Sequence, residues 1–180
     1  MKQSTVLPIL LALALPGCGR QEFQSFADVE LPVFKNHAYK NDSVATQPGA
    51  RIVTPSSNTI IVSVKPSQGR WSASKSIDQH MKSDFIGSMT RRELMKATCR
   101  VLQRNGLEGY ACAVWAKPAP DSEIKTSLDH MIVANYGIRL PQWDVDIHAI
   151  LSKGRPEDDL QTIERLTSLI IDRATSSPER

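Results

Sequence analysis

Arg51-Ile-Val-Thr-Pro-Ser-Ser-Asn-Thr-Ile-Ile-Val-Ser-Val64 is the stretch that decides the fold class, because two β-rich runs flank a polar turn within it. The runs are 51–54 and 59–64, and Pro55-Ser-Ser-Asn58 joins them. β-Branched side chains favour strands, and a short polar connection between two such runs is typical of a hairpin. We therefore predict a β-hairpin at the start of a folded domain that extends over residues 51–175.

Downstream of this hairpin the sequence alternates between helical and extended patterns. Ser76 and Thr90 each begin a capping box, which predicts helices near 77–86 and 91–104. The β-rich run 110–116 predicts a third strand. A cap at Asp121 or Ser122 predicts a further helix that ends near Asn135.

The last part of the domain carries one ambiguous segment and one clear helix. Residues 143–149 alternate apolar with polar, which favours a half-buried strand, although Trp143, Ile147, Ile150 and Leu151 also fit a helical stripe. Pro156, followed by three acidic residues, is typical of a helix start. The buried stripe of that helix is expected to be Leu160, Ile163, Leu166, Thr167, Ile170 and Ala174.

Together these segments predict an α/β (α+β) domain. We expect a small mixed β-sheet of about four strands packed against about four helices, as a single two-layer domain, in which each element buries one face against the other layer. Residues 18–50 are polar and aperiodic. Such a composition favours a flexible tether. Residues 176–180 are expected to be a disordered tail.

The first residues of the chain have the pattern of a secretory signal. Lys2 precedes an apolar core of about a dozen residues, which is too short to span the ~30 Å of a bilayer. The core ends in Leu15-Pro16-Gly17-Cys18. This ending resembles the lipobox of a bacterial lipoprotein precursor, with Pro16 as a departure from the commoner Ala, Ser or Thr.

The resemblance to lipoproteins implies a location. Residues 1–17 would be removed as a signal peptide and Cys18 would carry the acyl chains, including palmitate, that anchor the protein. Because Gly19 rather than Asp follows Cys18, the resemblance favours the outer membrane over the inner membrane. The folded domain would then face the periplasm.

The two remaining cysteines are Cys99 and Cys112. Exported proteins enter an oxidising compartment. Lengths of about 1.5 Å per helical residue and about 3.3 Å per strand residue bring the two sulfurs to similar heights on a helix and the following strand. We therefore predict a Cys99–Cys112 disulfide. The alternative is two small buried thiols that do not meet.

Candidate chemistry is sparse. If residues 143–149 form a strand, Asp144, Asp146 and His148 share one face, where two carboxylates and an imidazole suit a divalent cation or acid–base catalysis. The alternative is a solvated strand face. We expect no catalytic or cofactor-binding residue, no bound cofactor and no metal. A net charge of +3 without a dense basic patch argues against nucleic acid binding.

The sequence therefore predicts a lipid-anchored periplasmic lipoprotein. We expect a non-catalytic accessory or adaptor that binds another cell-envelope protein and contacts the membrane through its N-terminal acyl chains. One alternative is an enzyme or metal-binding protein that uses the Asp144/Asp146/His148 face. Another is a domain that binds a small ligand or a lipid between its helices and its sheet.

Overall fold

A computed structural model of the chain describes residues 21–26, 29–44, 47–67, 72–82, 93–117 and 130–176. Strands dominate these ranges. They are β1 (Phe23–Phe26), β2 (Val29–Pro32), β3 (Ala38–Val44), β4 (Gln47–Val53), β5 (Thr59–Pro66), β6 (Glu93–Arg104), β7 (Leu107–Lys117), β8 (Met131–Arg139) and β9 (Trp143–Leu151). The described helices are α1 (Ala73–Lys82) and α2 (Pro156–Ser176).

Seven of the strands form one antiparallel sheet. Its order is β3-β4-β5-β9-β8-β7-β6, so that β5 and β9 lie near the middle and β6 lies at one edge. β1 and β2 form a separate two-stranded hairpin. Because side chains alternate between faces along a strand, the register assigns the paired residues of the seven-stranded sheet to one of its two faces.

The long helix α2 covers one face, which we call the α2 face. It buries Ile163, Leu166 and Ile170 against the sheet, and each of these side chains is at most 1% exposed. The alternate residues of β5, β8 and β9, such as Val62 and Ile147, belong to the same buried core. Acidic residues in the first turn of α2 meet the positive end of the helix dipole.

The β1–β2 hairpin completes the α2 face by packing beside α2. Leu31 is fully buried, and the aromatic rings of Phe26 and Tyr39 stack with their centroids 6.4 Å apart. Arg173 of α2 forms an ion pair with Glu30. The hydroxyl of Tyr39 donates to the Pro32 carbonyl and accepts from the Phe34 N–H, both at 2.9 Å, which ties β3 to the end of β2 and to the loop after it.

Helix α1 lies on the opposite face, which we call the α1 face, against β6 and β7. The N–H of Ala73 donates to the Glu108 carboxylate, and Met81 Sδ lies 3.5 Å from Cys99 Sγ. Neither described helix is both long and apolar enough to cross a membrane.

The predicted fold class is wrong. In place of about four strands against about four helices, the described residues form a seven-stranded sheet and a two-stranded hairpin with two helices, one on each face. The reason is that several segments with helical composition pair as strands. The hairpin predicted over 51–64 is confirmed as β4–β5, and the strands predicted at 110–116 and 143–149 are confirmed as β7 and β9.

The tether predicted over residues 18–50 is wrong where the structure describes that range. The predicted domain boundary at Arg51 falls inside β4, and β1, β2 and β3 precede it. The segment is polar on average, but Phe26, Val29, Leu31 and Phe34 are buried. A few large apolar side chains at the right spacing thus stabilise a segment that its mean composition describes as disordered.

The helix predicted over 91–104 is also wrong, because Glu93–Arg104 is strand β6. Leu, Met, Lys, Ala, Arg and Gln favour a helix in isolation, and pairing with β7 overrides that preference. The overlooked signal is Asn105-Gly106. Both residues have positive φ, 53° and 78°, which is the two-residue turn that joins β6 to β7 as a hairpin.

The other helix predictions have mixed outcomes. α1 overlaps the helix expected near 77–86 and begins four residues earlier. The helix predicted from Asp121 or Ser122 to Asn135 is wrong at its end, where Met131 begins strand β8, and its first part lies outside the described residues. α2 begins at Pro156 as predicted, and it continues into the first residue of the tail predicted over 176–180.

Candidate functional site

The three polar residues singled out on β9 do share one face of the sheet. Asp144, Asp146 and His148 lie on the α1 face, because the alternate residues Val145 and Ile147 belong to the core under α2. Each of these three residues has a different environment in the structure. Asp144 is 3% exposed, Asp146 pairs with Lys65 at 2.5 Å, and the Nδ1 of His148 lies 2.8 Å from the amide oxygen of Asn135.

This arrangement does not favour a metal ion. Strand residues rise about 3.3 Å each, so Asp144 and His148 are about 13 Å apart along β9 and cannot share one cation. In the described ranges, no three His, Cys, Asp or Glu side chains are grouped closely enough to hold a metal. Asp144 faces Lys65 on one neighbouring strand and Arg139 on the other, which is a cationic surrounding.

The same face also holds Tyr110, whose ring covers Gly137 on the next strand. A Cβ atom at Gly137 would lie 2.2 Å from that ring, so the glycine is required for this close packing. Burial, together with the negative charge of Asp146, raises the pKa of the Tyr110 hydroxyl. A phenol held in its neutral form on a packed sheet face stabilises the fold and is poorly suited to act as a base at neutral pH.

A second buried polar cluster connects the β4–β5 turn to the start of α2. The Asp159 carboxylate is 3% exposed and accepts hydrogen bonds from Thr54 at 2.9 Å and from Asn58 at 2.6 Å. The Asn58 side chain also bonds the backbone of Ser152 and Lys153. Every contact ties one fold element to another, so we interpret the cluster as structural.

The disulfide predicted between Cys99 and Cys112 is confirmed in its pairing. Its geometry differs from the expectation, because both cysteines lie on strands and face each other directly across the β6–β7 ladder. Their Cα atoms are 4.1 Å apart. The bond therefore links the edge strand of the sheet to its neighbour.

Strand β6 carries the least buried apolar side chains of the described residues. Leu94, Met95 and Val101 are 53%, 50% and 43% exposed, and Met81 of the adjacent α1 is 40% exposed. We call these four residues the β6 patch. A concentration of exposed apolar side chains is typical of an interaction surface, whereas single ones scattered over a protein need no explanation.

The α2 face of β6 is cationic. The register places Lys96, Arg100 and Arg104 there, opposite residues of β7 that point toward α2. Arg100 pairs with Glu164 at 3.2 Å and Arg104 pairs with Asp172 at 2.7 Å, both on α2. The ammonium of Lys96 lies 4.8 Å from the centre of the Trp115 ring.

A groove runs between β6 and α2 beside these cations. Its volume is about 620 Å³ and it is open to solvent. Its lining residues are mostly charged or polar: Arg100, Leu102, Gln103, Arg104, Tyr136, Gln161, Glu164, Arg165, Thr167, Ser168 and Ile171. Leu94 and Val101 of the β6 patch thus lie on the opposite face of the edge strand from this cationic groove.

Cys18 and the residues before it lie outside the described part of the chain. Sequence reasoning did not find the β6 surface. Its residues were assigned to a helix, whose backbone groups bond within the helix and offer no sheet edge. The Asn105-Gly106 turn was the signal that would have identified the strand.

No protein-family model matches the chain, and no curated protein matches it. Among solved structures, the chain is similar to the solution structure of cyanobacterial PsbP (CyanoP) from Synechocystis sp. PCC 6803. The TM-score is 0.51 at 13% sequence identity, and the match covers 88% of this chain and 95% of that chain. At this identity the likeness shows that the two proteins share a fold.

Proposed function

We propose that this protein is a lipid-anchored, non-catalytic accessory protein of the cell envelope, and that its folded domain binds another envelope protein. The lipobox resemblance at Leu15–Cys18 supports the anchor and the export. The CyanoP-like fold is compatible with an accessory role, although one fold can host many functions. The binding role is therefore argued from the surface of the domain.

The β6 patch is the observation that carries the proposal. The large apolar side chains that are most exposed in the described ranges are concentrated on β6 and on the adjoining end of α1. Each costs free energy while it faces water, at roughly 25 cal/mol per Å² of apolar surface. A partner that covers the patch would recover this free energy.

The alternatives that the sequence left open receive less support. The enzyme or metal alternative depended on Asp144, Asp146 and His148 acting together, and the strand separates their functional groups. The lipid-binding alternative requires an apolar cavity, whereas the groove beside β6 is lined largely by charged and polar side chains. A small anionic ligand remains chemically compatible with the groove.

Crosslinking in the native envelope tests the proposal. The full chain would be crosslinked in intact cells and purified in detergent, in parallel with a Val101→Glu variant of β6 and a Gln24→Glu variant, each of which adds one negative charge. Gln24 is exposed on β1 and serves as the control for added negative charge. We expect one envelope protein to be recovered with the wild type and with Gln24→Glu, and at least ten-fold less with the β6 variant.

Two results would contradict the proposal. The first is that the wild type, at native abundance, recovers no protein above the level of an unrelated lipoprotein. The second concerns the anchor: a Cys18→Ser variant that has the same mass increment and the same detergent partitioning as the wild type would show that Cys18 carries no lipid.

A further inference from the structure

We propose that β6 binds an extended segment of the partner protein as an additional strand, and that this segment alternates acidic with apolar side chains. The inference rests on the proposed function and specifies how the partner is recognised. An added strand uses backbone hydrogen bonds for affinity and alternate side chains for specificity. Each of these two components can be traced to named residues of β6.

The backbone component follows from the register. In an antiparallel pair of strands, the Cα atoms of two opposed residues are about 5.5 Å apart when the residues exchange backbone hydrogen bonds and about 4.5 Å apart when they do not. Cys99 and Cys112 are opposed with their Cα atoms 4.1 Å apart, so they are a non-hydrogen-bonded pair. The N–H and C=O groups of Cys99 therefore point away from β7, and those of Ala97, Val101 and Gln103 follow the same alternation.

These outward groups lie at the end of the sheet. Among the described strands, β7 is the neighbour of β6 on one side and no strand lies on the other. β6 is twelve residues long, with a register shift between Leu94 and Lys96. The part from Lys96 to Arg104 is regular and long enough to pair with a strand of ordinary length, about five to six residues.

The side-chain component follows from the two faces of β6. On the α1 face, Leu94 is exposed at the start of β6, and Val101 is exposed two residues beyond Cys99, which Met81 contacts. On the α2 face, Lys96, Arg100 and Arg104 recur at every fourth residue, and Glu164 and Asp172 offset only two of these cations. A strand added beside β6 places its own alternate side chains on the same two faces. Apolar residues on one face and carboxylates on the other complement β6 on both.

The same cations argue against a second copy of this chain as the occupant. Two β6 strands paired with each other would bring Lys96, Arg100 and Arg104 of one copy next to the corresponding cations of the other. Like charges opposed across a ladder are destabilising, and charged side chains on edge strands oppose self-association. An acidic strand reverses the sign of that interaction.

The test uses the full chain in detergent micelles and two synthetic ten-residue peptides. One alternates valine with glutamate, and the other alternates valine with lysine. We expect the Val-Glu peptide to bind at least ten-fold more tightly than the Val-Lys peptide, as measured by fluorescence anisotropy. We also expect raised salt to reduce the difference, because the selectivity is electrostatic.

Two pairs of variants separate the backbone component from the side-chain component. Val101→Pro removes an outward N–H, whereas Val101→Thr is a β-branched control that retains it; proline is tolerated on edge strands. We expect at least ten-fold weaker binding for Val101→Pro and less than three-fold for Val101→Thr. Arg100→Gln/Arg104→Gln should abolish the preference for glutamate over lysine while an unchanged circular dichroism spectrum verifies the fold.

The inference is overturned if the Val-Glu peptide does not bind at millimolar concentration, if Val101→Pro and Val101→Thr bind equally, or if the arginine variant retains the full preference. These failures would be distinguishable from failure of the proposed function. An envelope partner that crosslinks equally well to the wild type and to Val101→Pro leaves the accessory role in place and removes β6 strand addition from it.

Discussion

The two hairpins β4–β5 and β6–β7 contrast in how they are stabilised. β5 lies between β4 and β9, and its residues Ile60, Val62 and Val64 are fully buried. β6 has one neighbouring strand among those described, keeps several apolar side chains in water, and is joined to β7 by a disulfide. The comparison indicates that β5 is held inside the sheet by burial, while the edge strand β6 is held by a covalent bond and left accessible.

The largest expected difference between the hairpins is the stability lost when the asparagine of each turn is replaced. These residues are Asn58 in the β4–β5 turn and Asn105 in the β6–β7 turn. Asn58 is 3% exposed, and its replacement by alanine removes one hydrogen bond to the Asp159 carboxylate and three to the backbone of Ser152 and Lys153. At about 1 kcal/mol for each neutral bond and about 1.5–3 kcal/mol for the bond to the charged carboxylate, we expect Asn58→Ala to lower the free energy of unfolding by about 4 kcal/mol.

Asn105 is the matched residue at the exposed turn. Asn105→Gly keeps the positive φ available and removes side-chain bonds to Asp172 and Thr175 at the surface. We expect a loss below about 1 kcal/mol. Urea denaturation of both variants measures the two free energies, and equal losses would show that the β4–β5 turn is no better anchored than the β6–β7 turn.

The disulfide should have the next largest effect. Cys99 and Cys112 are separated by 13 positions, and closing a loop of that length stabilises the folded state by about 3 kcal/mol in the chain-entropy model. Cys99→Ala/Cys112→Ala should lose this amount, and reduction of the wild type should produce a similar loss. A loss under about 1 kcal/mol would indicate that β6 is held by other contacts.

The same substitution, valine to alanine, at one buried and one exposed position compares the contribution of burial to stability in the two hairpins. Val62 is fully buried on β5, whereas Val101 is 43% exposed on β6. We expect Val62→Ala to cost about 2 kcal/mol through lost burial and cavity formation, and Val101→Ala to cost less than about 0.5 kcal/mol. Thermal unfolding of the two variants checks this difference. Similar costs would mean that Val101 is covered in the folded chain.

The smallest effect concerns Glu157 at the start of α2. A hydrogen bond from His130, 2.8 Å away, lowers the pKa of the Glu157 carboxyl below its ordinary value of 4.5. The carboxylate therefore stabilises the fold above pH 4.5, and this contribution disappears as the pH falls through the lower folded-state pKa. Because the side chain is 53% exposed, Glu157→Gln should cost about 0.5 kcal/mol at pH 7.

The pH dependence provides the control for that prediction. Urea unfolding at pH 7 and at pH 3 should show the difference between the wild type and Glu157→Gln becoming smaller at the lower pH. A difference that stays constant or grows toward pH 3 would contradict the assigned sign.

The contrast between the hairpins also explains what the sequence could predict. The β4–β5 hairpin is buried and rich in Ile and Val, so its composition and its structure agree. α2 and β9 were identified because a proline with following acids, and a strict alternation, are local signals. In these segments local preference and tertiary packing favour the same structure.

Strand β6 was not predicted because its local preference and its tertiary packing favour different structures. Its residues favour a helix locally, and the pairing with β7 that overrides them is not visible in the segment itself. Cys99 and Cys112 were paired correctly although the length argument placed Cys99 on a helix, because the expectation of export and the presence of two thiols also favoured a bond. The proposed interaction surface depends on the strand register, which the sequence analysis did not provide.

The measurement that tests the central claim most directly is residue-resolved amide hydrogen exchange of the free full chain in detergent. An open β6 edge predicts an alternating pattern, in which Cys99, Val101 and Gln103 exchange rapidly while Arg100 and Leu102, bonded to β7, are protected. Amides from Ile60 to Ser63 of β5 should all be protected, because β4 and β9 flank this part of the strand on both sides. Uniform protection along β6 would contradict the account, since it would show that the edge is already covered.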